Sequence, residues 1–248
     1  MTPHHERPVA LITGGARRVG AVIARTLHAA GFDLALHYRR SADEARALAG
    51  ELDSQRPGST LLLSADLADT AALPDLVERL LAHYGRLDAL VNNASTFFPT
   101  PIDAATPRQW DELFAANAQG PFFLSQAAVP ALRDARGSIV NLIDIYAERP
   151  LADHPLYCMA KAALAAMTRS LALDLGPEVR VNGVAPGAVL WPGEGKSHDD
   201  RRTMLERTPL HRAGAPDDVA SAVLWLLRDA PFVTGQIIRV DGGRSLSV

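Results

Sequence analysis

Short apolar runs alternate with longer Ala- and Leu-rich stretches along almost the whole of this sequence. Strands are predicted at residues 8–13, 32–38, 59–64, 87–92, 137–143, 179–185 and 236–240. Several of them are apolar at nearly every position, which is typical of strands buried on both faces of a parallel sheet. Helices are predicted at residues 18–30, 42–54, 70–84, 107–134, 155–175, 199–207 and 216–228. This alternation predicts an α/β fold, a doubly wound parallel sheet of about seven strands with helices on both faces.

The sequence shows no boundary linker, internal repeat or low-complexity tract, so we expect a single domain of the Rossmann type over residues 1–248. Residues 186–215 depart from the compact pattern. They follow the sixth predicted strand and are rich in Gly, Pro and charged residues. We interpret this segment as a candidate lid over a substrate.

Composition and charge exclude several kinds of partner. The net charge is −3, which gives no reason to expect nucleic acid or an anionic membrane surface. Cys158 is the single cysteine, so an intramolecular disulfide is excluded and a reducing compartment is favoured. The first residues lack an apolar signal-peptide core, and no apolar run reaches the roughly 18 residues of a membrane span. We therefore expect a cytoplasmic protein that has no membrane partner.

A glycine-containing turn follows the first predicted strand. It includes Gly14, Arg18 and Val19 within the sequence TGGARRVG. Glycines at such a turn allow the backbone to approach a pyrophosphate, which the N-terminus of the following helix attracts. The spacing is not G-x-G-x-x-G, so a purely structural turn remains the alternative.

The end of the second predicted strand indicates which dinucleotide is preferred. It is basic and polar, with no carboxylate before Asp43, and reads His37-Tyr38-Arg39-Arg40-Ser41. A guanidinium group matches the geometry of a phosphate, and a serine hydroxyl can add a further donor. The sequence therefore predicts NADPH as the cofactor. A solvated arginine cluster is the alternative.

Two further strand ends suit a dinucleotide, because ligands in such sheets bind at the carboxyl ends of the strands. Asp66 and Leu67 follow the third strand, where the adenine edge is expected. Asn92-Asn93-Ala94 comes at the end of the fourth strand and offers small and amide groups where the ribose and nicotinamide would pass. Either motif alone is as consistent with a turn as with a binding site, but the two together favour a binding site.

A Tyr-x-x-x-Lys pair lies on the helix predicted at residues 155–175. Its members, Tyr157 and Lys161, are one helical turn apart and share a face. A nearby ammonium group favours phenolate, so the pair predicts a tyrosine pKa below its ordinary value and a role in proton transfer. Asp144 ends the preceding strand. A surface pair and a strand-end cap are the corresponding structural alternatives.

Taken together, these motifs resemble the short-chain dehydrogenase/reductase family over essentially the full length. The shared features include the TG turn, NNA, Asn117, the Tyr157/Lys161 pair, Pro186-Gly187 and the closing VDGG. That family usually has Gly where this chain has Arg18 and Ser where it has Asp144. Both departures, with HYRRS and NNASTFFPTP, are similar to the pteridine reductase subgroup.

The resemblance implies a role for each matching residue. Tyr157 would donate a proton, Asp144 would assist, and Lys161 would bind the nicotinamide ribose while Asn117 helps to hold it through water. Phe97 would stack on the pterin opposite the nicotinamide, and Ser95 would lie near the phosphates and the pterin edge. The remaining residues of the implied cofactor site are Gly14, Arg18, Val19, Tyr38, Arg39, Arg40, Ser41, Asp66, Leu67, Asn93, Ala94, Pro186 and Gly187.

The chemistry of Asp144 independently favours a pteridine over a ketone. A serine hydroxyl can donate to a carbonyl oxygen, whereas an ionised aspartate only accepts hydrogen bonds. Reduction of a ring C=N bond requires a proton on nitrogen, which a carboxylic acid or an acid-linked relay can supply. We expect NADPH-dependent reduction of a dihydropterin or dihydrofolate. A carbonyl reductase of the same fold and a non-catalytic NADPH-binding or sensing protein are the alternatives.

Three further expectations complete the sequence interpretation. Trp191 either lines the substrate pocket or anchors the lid. His37 and His154 belong to no metal-ligand constellation, so no metal is predicted. Residues 155–175 form a helix that is apolar nearly all round, and a single sheet covers only one of its faces. A partner subunit would cover the other, and the homotetramers common in the resembled family agree with this.

Overall fold

A computed structural model describes residues 6–189 and 198–247, and gives the backbone alone for 198–201. All seven predicted strands are present. They are β1 (Val9–Ile12), β2 (Asp33–Tyr38), β3 (Thr60–Ser64), β4 (Ala89–Asn92), β5 (Ser138–Leu142), β6 (Arg180–Pro186) and β7 (Ile237–Val240). They form one parallel sheet in the order β3-β2-β1-β4-β5-β6-β7. The predicted α/β class and doubly wound sheet are therefore confirmed.

The helices also follow the prediction closely. They are α1 (Arg18–Ala29), α2 (Ala42–Gln55), α3 (Leu73–Tyr84), α4 (Pro107–Phe114), α5 (Gly120–Asp134), α6 (Pro155–Leu175), α7 (His198–Glu206) and α8 (Pro216–Leu224). Each one lies within a predicted helical segment or extends it by a single residue. Among the described residues, no helix is long and apolar enough to cross a membrane.

One predicted helix, over residues 107–134, is divided in the structure. A π-helical segment, Ala115–Gln119, separates α4 from α5. Pro121 has no N–H group to donate to the carbonyl four residues back, and the Gly120 N–H bonds instead to the carbonyl of Ala115, five residues back. This segment carries Asn117, so the irregularity falls at a predicted site residue.

Alternate residues of the central strand face two separate hydrophobic clusters, as the pleat of a strand requires. Ala10 and Ile12 belong to a cluster that includes residues of α1 and α8. Val9 and Leu11 belong to a cluster on the other face, which includes residues of α3 and α5. Both faces of β1 are fully buried. Burial of each aliphatic side chain there contributes about 2 kcal/mol, which fixes the strand ends that carry the site.

The strand order reverses between β1 and β4, since β1 pairs with β2 on one side and with β4 on the other. Chains leaving these two strands diverge to opposite sides, and a crevice opens at their carboxyl ends. The fold thus brings the polar strand ends predicted from the sequence to one edge of the sheet.

Candidate active site

A cavity of about 650 Å³ lies at this edge of the sheet. Every residue of the predicted cofactor site lines it. These are Gly14, Arg18, Val19, Tyr38, Arg39, Arg40, Ser41, Asp66, Leu67, Asn93, Ala94, Ser95, Lys161, Pro186 and Gly187. Phe97 and Tyr157 line the same cavity. Residues predicted as separate strand-end motifs therefore converge on one crevice.

The β1–α1 turn requires its glycines. Gly14 has φ +60°, and a Cβ at Gly20 would lie 2.3 Å from the carbonyl oxygen of Gly14. Arg18, at the start of α1, has φ 52°, a conformation that is strained for a residue with a side chain. Arg17, the N-cap residue of α1, makes no capping hydrogen bond through its side chain, which leaves the N–H groups of the first turn for an anion. The turn fits the pyrophosphate of a dinucleotide.

Asn93 lines the cavity and also stabilises the β1–α1 turn. Its side-chain amide donates to the carbonyl oxygens of Thr13 at 2.8 Å and Gly14 at 3.1 Å. The Thr13 hydroxyl accepts from the backbone N–H groups of Asn93 and Ala94, at 2.9 and 3.0 Å. These bonds hold the end of β4 against the β1–α1 turn. Thr13, which the sequence analysis assigned no role, is therefore a structural part of the site.

The arginines after β2 have different surroundings. Arg39 lies 3.6 Å from Asp66 and is paired with it across the ends of β2 and β3. Within residues 6–189 and 198–247, neither Arg18 nor Arg40 forms an ion pair, yet both line the cavity beside Ser41. Arg18 and Arg40 are therefore the cations best placed for a phosphate.

Tyr157 and Asp144 form a direct pair. The Tyr157 hydroxyl donates to Oδ2 of Asp144 at 2.8 Å, and Oδ1 of Asp144 accepts the backbone N–H of Tyr146 at 2.9 Å. Burial raises the pKa of the Asp144 carboxyl, against the opposing effects of these hydrogen bonds and of Lys161. Asp144 is thus a member of the site, and it also caps the short turn Ile145–Ala147.

The predicted lowering of the tyrosine pKa is wrong for this structure. Burial raises the pKa of Tyr157 well above its ordinary value, and the Asp144 carboxylate raises it further. The Nζ of Lys161 donates to the carbonyl of Leu142 at 2.8 Å and lies over the Tyr157 ring, 5.8 Å from its centroid. Burial lowers the pKa of Lys161 itself to about 8.

Asn117 is fully buried and its side chain is fully hydrogen-bonded. Its amide nitrogen donates to the carbonyls of Thr96 and Leu113, each at 2.9 Å, and its Oδ1 accepts the Ser95 hydroxyl at 2.6 Å. These contacts support the loop that carries Ser95 and Phe97. The predicted link from Asn117 through water to Lys161 stays a prediction.

Phe97 is 48% exposed and faces two rings. It stacks on His154 with a centroid distance of 4.6 Å and an interplanar angle of 12°. Its edge contact with Tyr157 has a centroid distance of 4.8 Å. Phe98 instead packs against the buried cluster of Leu113 and Leu156. Sequence reasoning missed His154 as a site residue, although its position three residues before Tyr157 placed it one helical turn away.

The structure describes most of the predicted lid but not Trp191. Residues 190–197 lie outside the described residues, so the role of Trp191 stays a prediction. On either side of that gap, Val189 lines the cavity and α7 begins at His198. The described residues contain no group of three or more His, Cys, Asp or Glu side chains that could hold a metal ion.

A family model described as enoyl-(acyl carrier protein) reductase matches residues 14–245. The chain belongs to the short-chain dehydrogenase/reductase family. Members of this family are oxidoreductases that use nicotinamide cofactors, which agrees with the cavity and its glycine turn. The resemblance inferred from the motifs is confirmed.

Relatives with different printed names align over nearly the whole chain. Pteridine reductase 1 of Leishmania tarentolae is 37% identical, over 100% of this chain and 99% of its own. Ketoacyl reductase 2 of the granaticin polyketide synthase from Streptomyces violaceoruber is 38% identical, over 97% of both chains. A 3-oxoacyl-acyl-carrier-protein reductase of Staphylococcus epidermidis is 32% identical, over 94% of this chain and 97% of its own. Sequence identity alone therefore does not indicate the substrate, so the substrate must be inferred from the side chains of the site.

Proposed function

We propose that this protein is an NADPH-dependent pteridine reductase that reduces a ring C=N bond of a dihydropterin or dihydrofolate. The observation that carries the proposal is the 2.8 Å hydrogen bond between Tyr157 and Asp144, in place of the family's usual serine. A serine hydroxyl would donate to a ketone oxygen. The Tyr157–Asp144 pair instead suits a ring nitrogen, which must gain a proton as its carbon gains a hydride.

The cofactor preference follows from the arginines of the cavity. Arg40 and Ser41 lie beyond β2, where a 2′-phosphate would be held, and Arg18 lines the same cavity from the β1–α1 turn. Guanidinium groups bind phosphate through paired, charge-assisted hydrogen bonds. The bound NADPH would supply the hydride, with Lys161 toward its nicotinamide ribose.

Proton delivery would depend on the shared proton of the pair. Because burial raises the pKa of Asp144, its carboxyl group can carry a proton at a less acidic pH than an exposed carboxyl can. Tyr157 is neutral and holds its proton toward Oδ2 of Asp144. When the tyrosine hydroxyl gives its proton to the ring nitrogen, a protonated Asp144 can pass its own proton to the phenolate, and the carboxylate then takes up a proton from solvent. The pair thus supplies one proton for each hydride.

Recognition of a flat ring would come from Phe97. Its half-exposed side chain lines the cavity close to Tyr157, and an aromatic face suits stacking on a heteroaromatic ring. We propose that the segment 186–215 acts as a lid over the substrate; its residues 190–197, Trp191 among them, lie outside the described residues.

A carbonyl reductase is the second candidate, because two of the relatives carry ketoacyl or 3-oxoacyl reductase names. A non-catalytic NADPH-binding or sensing protein is less consistent with the Tyr157–Asp144 pair and with Lys161 buried beside it. NADPH oxidation measured with dihydrobiopterin and with an acetoacetyl thioester separates these possibilities. We expect turnover of the pterin. Turnover of the thioester alone would refute the pteridine assignment, and turnover of neither would favour the sensor.

We also propose a homotetramer. On α6, Met159 is 43% exposed and Leu173 is 85% exposed, and Trp110 of α4 is also exposed. Apolar side chains on these helices would be buried between subunits. Analytical ultracentrifugation tests the assembly, and a monomer at micromolar concentration would refute it.

A further inference from the structure

His37 connects two parts of the cofactor cavity that the motifs treat separately. It is the fifth residue of β2 and is 2% exposed. The Gly14 N–H donates to its Nδ1 at 3.3 Å, and its Nε2 lies 3.1 Å from the carbonyl oxygen of Ala65. The imidazole therefore joins the β1–α1 turn to the loop after β3.

Both partners of the ring have fixed roles. A carbonyl oxygen only accepts, so Nε2 must carry the hydrogen that is shared with Ala65. A backbone N–H only donates, so Nδ1 must be unprotonated toward Gly14. The contacts thus require the neutral Nε2–H tautomer. A second proton on Nδ1 would place two donors against each other at the Gly14 turn.

The two joined segments belong to different parts of the predicted cofactor site. Gly14, with φ +60°, belongs to the turn that fits a pyrophosphate. Ala65 directly precedes Asp66, at the predicted adenine end, and its own N–H donates to the Tyr38 carbonyl at 3.2 Å. The Gly15 N–H donates to the backbone carbonyl of His37 at 3.1 Å. Side chain and backbone of His37 therefore fix the spacing between the two segments.

We propose that His37 is a positioning residue for the dinucleotide, and that its protonation releases the Gly14 turn and weakens cofactor binding at acid pH. The inference rests on the proposed cofactor and is independent of the pteridine substrate. It assigns a role to His37, which is not among the residues predicted to bind the cofactor or to take part in the reaction.

The surroundings of the ring determine where this change occurs. Burial lowers the pKa of His37 from its ordinary 6.5, the bond to Ala65 and the charge of Asp66 raise it, and Arg39 lowers it. Arg17 and Arg18 of the β1–α1 turn line the same cavity. The neutral form therefore prevails above pH 6.5, and the proposed weakening begins below that value.

Two substitutions separate the two ring nitrogens. The Oδ1 of His37→Asn can replace Nδ1 as the acceptor for Gly14, whereas the Nε2 of His37→Gln can replace the donor to Ala65. Neither amide titrates in this range. Dissociation constants for NADPH and NADH would be measured by cofactor fluorescence between about pH 5 and 8 for the wild type and both variants. Circular dichroism would confirm folding at each pH.

NADH controls for the cofactor's own titration, because a phosphate monoester titrates near pH 6 and NADH lacks the 2′-phosphate. For the wild type we expect both dissociation constants to rise about tenfold per pH unit once His37 titrates. His37→Asn should bind NADH more weakly than the wild type at neutral pH, because the bond to Ala65 is lost, but its dissociation constant should not rise at acid pH. His37→Gln should bind both cofactors weakly at every pH, because Gly14 loses its acceptor.

If the dissociation constant of folded His37→Asn for NADH still rises at acid pH as it does for the wild type, the proposal is overturned. It is also overturned if the wild type binds NADPH tightly at neutral pH but its dissociation constant for NADH does not change with pH. If His37→Asn fails to fold, the wild-type NADH profile still decides, together with ¹⁵N spectra of the histidine tautomer. A protonated ring or an Nδ1–H tautomer at neutral pH would refute the role. Failure of the wild type to bind NADPH at neutral pH would instead refute the cofactor assignment, and this inference with it.

Discussion

The hydroxyl of Tyr157 lies 2.8 Å from Oδ2 of Asp144, so the phenol and the carboxyl group share one hydrogen bond inside the cavity wall. Burial raises the pKa of both groups, and the charge of Asp144 raises that of Tyr157 further. Such a pair titrates as a unit. Its proton can be passed to a ring nitrogen, and this distinguishes the site from one built around a serine.

Replacing Asp144 by Ser should reverse the substrate preference. We expect kcat/KM for dihydrobiopterin to fall about 100-fold, because the proton-bearing partner of Tyr157 is lost. Reduction of an acetoacetyl thioester should be retained or increased, since the serine hydroxyl can donate to a carbonyl oxygen. Asp144→Asn is the matched control for shape, because it preserves size and cannot ionise. Unchanged pterin turnover in both variants would rule out the proposed role of Asp144.

The fold was predictable because short runs that are apolar at nearly every position alternate with longer Ala- and Leu-rich segments. The predicted strand at 179–185 appears as β6, Arg180–Pro186, for example. The division of the helix at Ala115–Gln119 was not predicted. Alanine and leucine periodicity continues through it, and the change in hydrogen bonding follows from Pro121 and the packing of Gly120.

Spacing along the chain located Tyr157, Lys161 and Asp144 but not the directions of their side chains. A four-residue separation placed Lys161 on the same helical face as Tyr157. It could not show that burial and Asp144 would raise the pKa of Tyr157, or that Nζ would bond to the Leu142 carbonyl, so the predicted direction of the tyrosine pKa was wrong. His37 and His154 were missed as site residues for a related reason. A lone histidine has no sequence pattern, and its role depends on contacts with residues distant in the chain, such as Gly14 or Phe97.

Replacing Arg40 by Ala should weaken NADPH far more than NADH. The loss of a charge-assisted contact to the 2′-phosphate corresponds to about 10- to 100-fold in the dissociation constant. Arg25→Ala is the control, because Arg25 pairs with Glu51 on the surface at 2.6 Å and does not line the cavity. Isothermal titration with each cofactor gives the comparison. Equal weakening of NADPH and NADH by Arg40→Ala would contradict the phosphate assignment.

Replacing Phe97 by Ala should raise KM for the pterin about tenfold with a smaller effect on NADPH, because the stacking face is removed. His154→Ala should have a smaller effect in the same direction, since His154 supports Phe97 through the 4.6 Å stack. Phe232→Ala removes a fully exposed aromatic ring elsewhere and serves as the control. Steady-state kinetics with varied pterin test the prediction. A normal KM for Phe97→Ala would exclude Phe97 from substrate binding.

Replacing Lys161 by Met should stabilise the protein at neutral pH while abolishing its activity. Burial lowers the folded-state pKa of Lys161 from 10.5 to about 8, so the unfolded chain binds more protons than the folded one between these values. The wild type therefore gains stability as pH rises through this window, and it loses that contribution as pH falls through about 8. The variant has no titrating group at this position. Its free energy of unfolding should therefore exceed that of the wild type most below about pH 8, by up to about 3 kcal/mol, and the difference should shrink toward pH 10.5. Loss of the hydrogen bond to the Leu142 carbonyl reduces this stability difference by a constant amount at every pH. Urea unfolding of both proteins at pH values below about 8 and above about 10 measures this difference. If the difference does not become smaller at alkaline pH, burial of Lys161 does not destabilise the folded protein.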